Sequence, residues 1–326
     1  MAADFLGESD GLTLWLAKPE DYADVMAISE NIYDGNDYLP HRYWEWMTEP
    51  DRVVFLARRD RKLVAFESGF VVDKGCTLIL EGLRVCPSER GRGIAGIIQR
   101  FSDMHMKKLY PSIRVKRLTR ADVPGREKLS KFKLLARRAV LSFCGEAAIF
   151  GTFVSALKTK LAAEGDTGNK MFTFETEDHL KAVILDPDLT CRLQLPGGAI
   201  IQDWQPLQPM ESNLEVLRRR NLKWFLAGPS KTPTFLSFHT PPYPVPFNGG
   251  ALRLNVDLYG TDPALARPAL VAHLENVAGK IDRMVLVHVY MHPSVWEELW
   301  RLCQVESGLT QYRDYWEQVF LEKEME

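Results

Sequence analysis

The stretch from Leu78 to Phe101, LILEGLRVCPSERGRGIAGIIQRF, constrains this chain more than any other. It begins with the apolar run of a strand and reaches Val85-Cys86-Pro87. It then turns through Arg90-Gly91-Arg92-Gly93 into a helix with an apolar stripe. The two glycines let the backbone curl so that several N–H groups point into one concavity. The first helical turn, Ile94-Ala95-Gly96, adds its own unpaired donors and the positive end of its dipole. This is the chemistry of a pyrophosphate seat, and Arg90 and Arg92 strengthen it.

Competing phosphate motifs fail on spacing. A P-loop needs Lys-Ser or Lys-Thr after its last glycine, and neither follows Gly93. Gly91-x-Gly93-x-x-Gly96 formally fits a dinucleotide fingerprint, yet the next strand, Arg114 to Arg120, is basic and ends without a ribose-binding carboxylate. The order strand, V-x-P, R-x-x-G-x-A, helix resembles the coenzyme A motif of the GNAT acetyltransferases.

At 326 residues the chain has room for two domains. A net charge of −2 argues against a polyanion-binding protein, although Lys107 to Arg138 holds twelve Lys or Arg against Asp122 and Glu127. That run reads as a solvated face that can also screen the 3′-phosphate of the coenzyme; without interleaved aromatics it is a poor nucleic-acid surface. Five scattered cysteines without a CxxC pair suit reduced thiols and a cytoplasmic setting. MAADFLGESDG has neither the basic start nor the apolar core of a signal peptide. Ala139 to Leu157 is apolar but broken by Gly145, Glu146 and Gly151, so it reads as a buried strand turning into a helix, with no membrane contact. His288 and His292 lack a third partner at zinc-type spacing, so no metal is expected.

The first half alternates strand and helix: Leu12–Ala17, a helix from Pro19 towards Tyr33, a short aromatic helix around Tyr43, Trp44 and Trp46, then strands Val53–Arg58, Leu63–Val72 and Thr77–Val85. The motif-bearing helix is read with Ile94, Ile97, Ile98, Phe101 and Met104 on one face. A strand IRVKRLT, a helix Glu127–Lys133 and a strand Ala139–Phe143 complete the GNAT order. Beyond a linker at 151–170, strands AIIQDW, Phe235–Phe238, Leu252–Leu258 and Met284–Tyr290 alternate with helices Glu211–Arg220, Ala264–Val277 and Ser294–Leu302. The fold class is therefore α/β with a mixed sheet, as tandem GNAT folds. A catalytic domain spans 1–150, and a degenerate GNAT-like copy without R-x-x-G-x-A spans 171–326 and helps form the acceptor site.

At finer grain the set ISENIYDGNDYLP, ESGFVVDKG, LEGLRVCPSERGRGIAG and GGAIIQDWQP resembles the histidine N-acetyltransferases and covers nearly the whole chain. The resemblance implies acetyl-CoA and L-histidine as substrates and N-α-acetylhistidine as product; nothing in composition or spacing speaks to histidine. Alternatives are a GNAT protein acting on a peptide N-terminus or lysine, and a non-catalytic acyl-CoA sensor.

In a GNAT fold the amides of Leu83 and Val85 pair with pantetheine as an added strand would, and an N–H near Val85 polarises the thioester. Glu81, on the same face as Leu83 and Val85 of a regular strand, is the expected base for the ammonium proton. Cofactor contacts fall to Leu83, Val85, Arg90, Gly91, Arg92, Gly93, Ile94, Ala95 and Gly96. Tyr33 and Tyr38 wall the acceptor site, Arg42 or Arg84 offers a fork for a carboxylate, and Glu67 and Asp203 offer acceptors for an imidazole N–H. The tyrosine that often protonates the thiolate is missing from REKLSKFKLL, as is the asparagine before it, where Asp122 stands nearest; Ser130, Tyr33 or water are the alternatives. Cys86 has no histidine nearby in sequence, so direct attack by the amine is the expected route.

Overall fold

The computed structural model describes residues 4–121, 125, 129–165 and 171–325. Its contacts form two units. One is Met1–Leu118 with Val245–Phe247 and Glu322–Glu326; the other is Thr119–Pro244 with Asn248–Leu321.

In the first unit β1 (Phe5–Ser9), β2 (Leu12–Leu16), β3 (Arg52–Arg59), β4 (Lys62–Val72) and β5 (Thr77–Val85) lie side by side in chain order, each antiparallel to the next. Tight charged turns, Asp60-Arg61 and Asp73-Lys74-Gly75 with positive φ, make that pairing local. Helix α3 (Ile94–Leu109) then crosses over, and β6 (Val115–Arg120) returns parallel to β5. Ile94, Ile98, Ser102 and Met106 recur every fourth residue and form the buried stripe of α3. Met104, expected on that stripe, is exposed, because the 3.6-residue turn carries it to the far side. On the other sheet face α1 (Tyr22–Ile28) and α2 (Leu39–Trp46) pack Val25, Leu39, Tyr43 and Trp46 against Leu56 and Phe66.

The second unit repeats this arrangement. β10 (Lys223–Ala227), β11 (Phe235–His239) and β13 (Ala251–Tyr259) are antiparallel neighbours. Helix α8 (Pro263–Ala278) then leads to β14 (Val285–Met291), parallel to β13. On its far side β14 pairs with β7 (Lys133–Gly145) from Val285↔Gly145 to Met291↔Ala139, and β15 (Thr310–Glu324) lies beside β7. The contacts therefore group β7 with the second unit, ahead of the expected boundary at 150.

The stretch 151–170 was expected as a linker, but α4 (Ala147–Ala163) occupies it as far as Ala163. Phe150, Phe153, Val154, Leu157 and Leu161 keep helical spacing and bury themselves in the second core. Residues 166–170 lie outside the described residues. So do Asp122 and Glu127, while Lys133, expected to end a helix, already begins β7. No helix among the described residues is long and apolar enough to cross a membrane.

Candidate active site

The site begins with an irregularity in β5. Ser68 on β4 pairs with Glu81, and Phe66 pairs with Arg84, so Glu67 alone stands opposite both Gly82 and Leu83. That extra residue is a β-bulge, and Gly82 takes the left-handed φ of 75° that it requires. The bulge resets the alternation of side chains. Cross-strand partners point to the same face, so Glu81 and Arg84 share a face with Ser68 and Phe66, on the α1–α2 side. Leu83 and Val85 turn to the other face and pack against the core of α3. The expectation that Glu81, Leu83 and Val85 share one face is thus corrected, because the strand is not regular there.

The opposite edge of β5 opens beyond the same point. Its parallel register with β6 runs Thr77↔Val115, Leu78↔Lys116, Ile79↔Arg117 and ends. No other strand pairs with that edge of Leu80–Val85 among the described residues. The Cys86 N–H donates to Val64 O on β4 at 2.9 Å, so alternation turns the Val85 N–H towards the open edge. Beyond it lies a helix start without a side-chain cap. Gly93 is the N-cap of α3, and Gly91 and Gly93 have φ of 77° and 78°. A Cβ added at either would meet nothing within 4 Å, so both face open space. Arg90 and Arg92 are exposed beside them; Arg90 Nε donates to Val85 O at 3.2 Å, and Arg92 lies 3.5 Å from Glu89. An open strand edge running into an uncapped helix N-terminus with two arginines fits an acyl-CoA, whose amides match the edge and whose pyrophosphate matches the turn.

The second unit lacks both features at the corresponding place. β13 and β14 stay paired from Leu252↔Val285 to Asp257↔Tyr290, and Asp262 caps α8 by accepting from the Ala264 N–H at 2.9 Å. The ladder is closed, and a carboxylate takes one of the N–H donors that an anion would need.

On the α1–α2 face four polar groups meet at the bulge. Arg84 is buried, with Nη2 2.7 Å from Asp37 Oδ1 and Nη1 3.1 Å from Leu83 O. Its Nε finds no acceptor among the described residues. The guanidinium carbon lies 5.4 Å from the Tyr33 ring and 5.6 Å from the Tyr38 ring. Tyr38 OH accepts from the Gly82 N–H at 3.1 Å. Burial raises the Tyr38 phenol well above its ordinary value against the opposing pull of Arg84, so it stays protonated. Tyr33 is exposed and, like Asn31 and Asp34, has a left-handed φ.

The remaining expected acceptor residues have other neighbours. Arg42 pairs with Glu45 at 2.7 Å. Glu67 points to the α3 side and accepts from Gln99 Nε2 at 3.2 Å; strand parity separates it from its neighbour Ser68 and hence from Glu81. Asp203 belongs to the second unit, accepting from Asn255 Nδ2 at 2.8 Å and Tyr243 OH at 3.2 Å. Sequence reading missed Asp37, which holds Arg84, and Arg52, which holds Glu81 at 2.6 Å. Asp37 had a local signal, since a short acidic side chain before Leu39 is a helix-start residue and its Oδ1 accepts the Leu39 N–H at 3.0 Å.

Glu67 yields a stability prediction. Burial raises its carboxyl to about 8, so the folded chain holds a proton that the unfolded chain releases near 4.5. The associated stability is present below about 4.5 and is lost as pH rises through about 8. Melting temperatures of the natural chain and Glu67→Gln should therefore shift in favour of the variant by several degrees between pH 6 and 9. A constant difference across that range would show that Glu67 is ionised in the fold.

Comparison with known proteins fits this geometry. Residues 20–102 match the acetyltransferase (GNAT) family, and residues 169–292 match the family described as histidine N-acetyltransferase, C-terminal. A human protein described as probable N-acetyltransferase 16 is 37% identical over 98% of this chain and 87% of its own length. The chain belongs to the histidine N-acetyltransferase family. A member from Oreochromis niloticus, named histidine N-acetyltransferase, is 34% identical over 96% of this chain and 93% of its own. Among solved structures, a tandem GNAT protein from the clavulanic acid biosynthesis pathway superposes with a TM-score of 0.55 at 14% identity, covering 97% of this chain and 99% of that one. At that identity the likeness shows the fold, an α/β tandem GNAT architecture.

Proposed function

We propose that this chain transfers the acetyl group of acetyl-CoA to the α-amino group of L-histidine in the cytoplasm, by direct attack of the amine. The observation that carries the reading is the bulge at Gly82. It sets Glu81 and Arg84 on one face, beside the stretch of β5 whose far edge no strand of the described residues covers. Family membership supports histidine as acceptor, and five free cysteines support a reducing compartment.

The residues divide the work as follows. Amides from Gly91 to Gly96, with Arg90 and Arg92, would hold the pyrophosphate; the Leu83 and Val85 edge would hold the pantetheine. Acetyl-CoA supplies the acyl carbon when bound. The Val85 N–H, which faces the open edge, would donate to the carbonyl oxygen as charge develops there. Glu81 takes a proton from the ammonium, making an O–H bond as the N–H bond breaks and leaving a neutral amine. The C–N bond to the acyl carbon then forms as the C–S bond breaks, CoA departs as the thiolate, and the second amine proton neutralises that thiolate. Arg84 receives the carboxylate of the amino acid.

The test is a panel of the twenty amino acids, histamine and short peptides with acetyl-CoA, read by free thiol and product mass. Histidine should give acetylhistidine; histidine inert beside a reactive peptide would overturn the substrate assignment. In the same assay Arg84→Met should raise the KM for histidine by about 10–100-fold, the worth of a charged hydrogen bond. It should leave histamine, which has no carboxylate, within about twofold. Equal losses on both would remove Arg84 from carboxylate recognition.

A further inference from the structure

Arg52 opens β3, well before the phosphate turn that begins at Arg90, and no motif marks it. Its guanidinium is wedged between the rings of Trp46 and Phe70, 4.5 Å from each centroid, and its side chain is fully buried. Nε donates to Glu49 Oε2 at 2.5 Å. Nη1 reaches both Ser68 Oγ and Glu81 Oε1 at 2.6 Å. Ser68 is the cross-strand partner of Glu81 and the last one before the bulge.

One cation thus lies between two carboxylates, at a position where a buried charge persists only if it is paired. The two rings fix the guanidinium plane, and that plane fixes the Oε1 atom of Glu81. A planar fork can hold Glu49, Ser68 and Glu81 at once; a lysine ammonium is a single point charge on a flexible stem and cannot reproduce that geometry.

Resting on the reading of Glu81 as base, we propose that Arg52 is its positioning residue: by holding Oε1 it fixes the orientation in which the carboxylate meets the ammonium of the acceptor. Arg52 touches neither substrate and acts only through Glu81.

The test is a double-mutant cycle on the full chain, with kcat and the acetyl-CoA Kd measured for Arg52→Met, Arg52→Lys, Glu81→Gln and the two combinations. Arg52→Met should lower kcat by about 10²-fold, and Arg52→Lys by about 10-fold, with the acetyl-CoA Kd unchanged within twofold. In the Glu81→Gln background neither change should lower kcat further. A loss of equal size in both backgrounds would mean that Arg52 serves the fold alone, and would overturn the inference while leaving Glu81 as base. If Glu81→Gln itself keeps full kcat, the base reading falls first. Should Arg52→Met fail to fold, the Arg52→Lys arm carries the same cycle.

Discussion

Replacing Glu81 by Gln should lower kcat by about 10²-fold or more while the acetyl-CoA Kd stays within twofold. The amide keeps the size and a hydrogen bond to Arg52 but cannot take up a proton. A positioned base is worth about 10²–10⁴-fold, and an α-amino group near pH 7 is mostly protonated, so the loss falls on the step that makes the amine nucleophilic. In the proposed mode the donor is held by main-chain groups of Leu83–Val85 at the open strand edge and by the Gly91–Gly96 turn, so the Glu81 side chain is not among its contacts. Binding and turnover should therefore separate. Raising the pH should restore part of the variant's rate, because the acceptor then loses its proton to solvent. A variant with unchanged turnover across pH 6–9 would exclude Glu81 from the chemistry.

The second large effect is on stability. At Gly82 a Cβ would lie 2.8 and 2.9 Å from ring atoms of Trp46 and 3.1 Å from Phe66. Both rings are buried and stack with an interplanar angle of 8°, so neither can yield cheaply. The φ of 75° adds backbone strain for any other residue. Gly82→Ala should cost about 3–5 kcal/mol, combining overpacking with a left-handed alanine. The denaturant midpoint should fall accordingly, and acetyl-CoA affinity should fall with it as the strand straightens. Gly91→Ala is the matched control: its φ is also positive, at 77°, but its Cβ would meet open space. It should cost only about 1 kcal/mol. Equal costs at the two positions would mean that the bulge is not held by the Trp46–Phe66 stack.

Much of this was readable from the chain because local rules dominate. Thr77–Val85 was read with its observed bounds, and the paired glycines after Pro87 mark the uncapped start of α3. The strands of the second unit showed as apolar runs ending near Gly260 and His292. What escaped depends on pairing across strands. Gly82 is visible in sequence, but the number of residues opposite it is not, so the face of Glu81 could only be assumed. Glu67 was offered as an imidazole acceptor with no strand face assigned, and the pairing of β4 puts it on the α3 side. Arg52 ends the polar stretch TEPDR, and only the Trp46 and Phe70 rings beside it make it an interior residue. Helix α4 overlaps the stretch expected as a linker, because its apolar stripe runs straight into the polar residues that follow Ala163.

In the proposed reaction, main-chain groups at the open end of β5 grip the donor. A crystal structure of the full chain with desulfo-CoA, an analogue that cannot transfer an acyl group, tests this most directly. Pantetheine amides should bond to Leu83 and Val85, with the pyrophosphate on the amides of Gly91 to Gly96. An analogue bound at the end of β13 in the second unit, or absent from the β5 edge at saturating concentration, would contradict it.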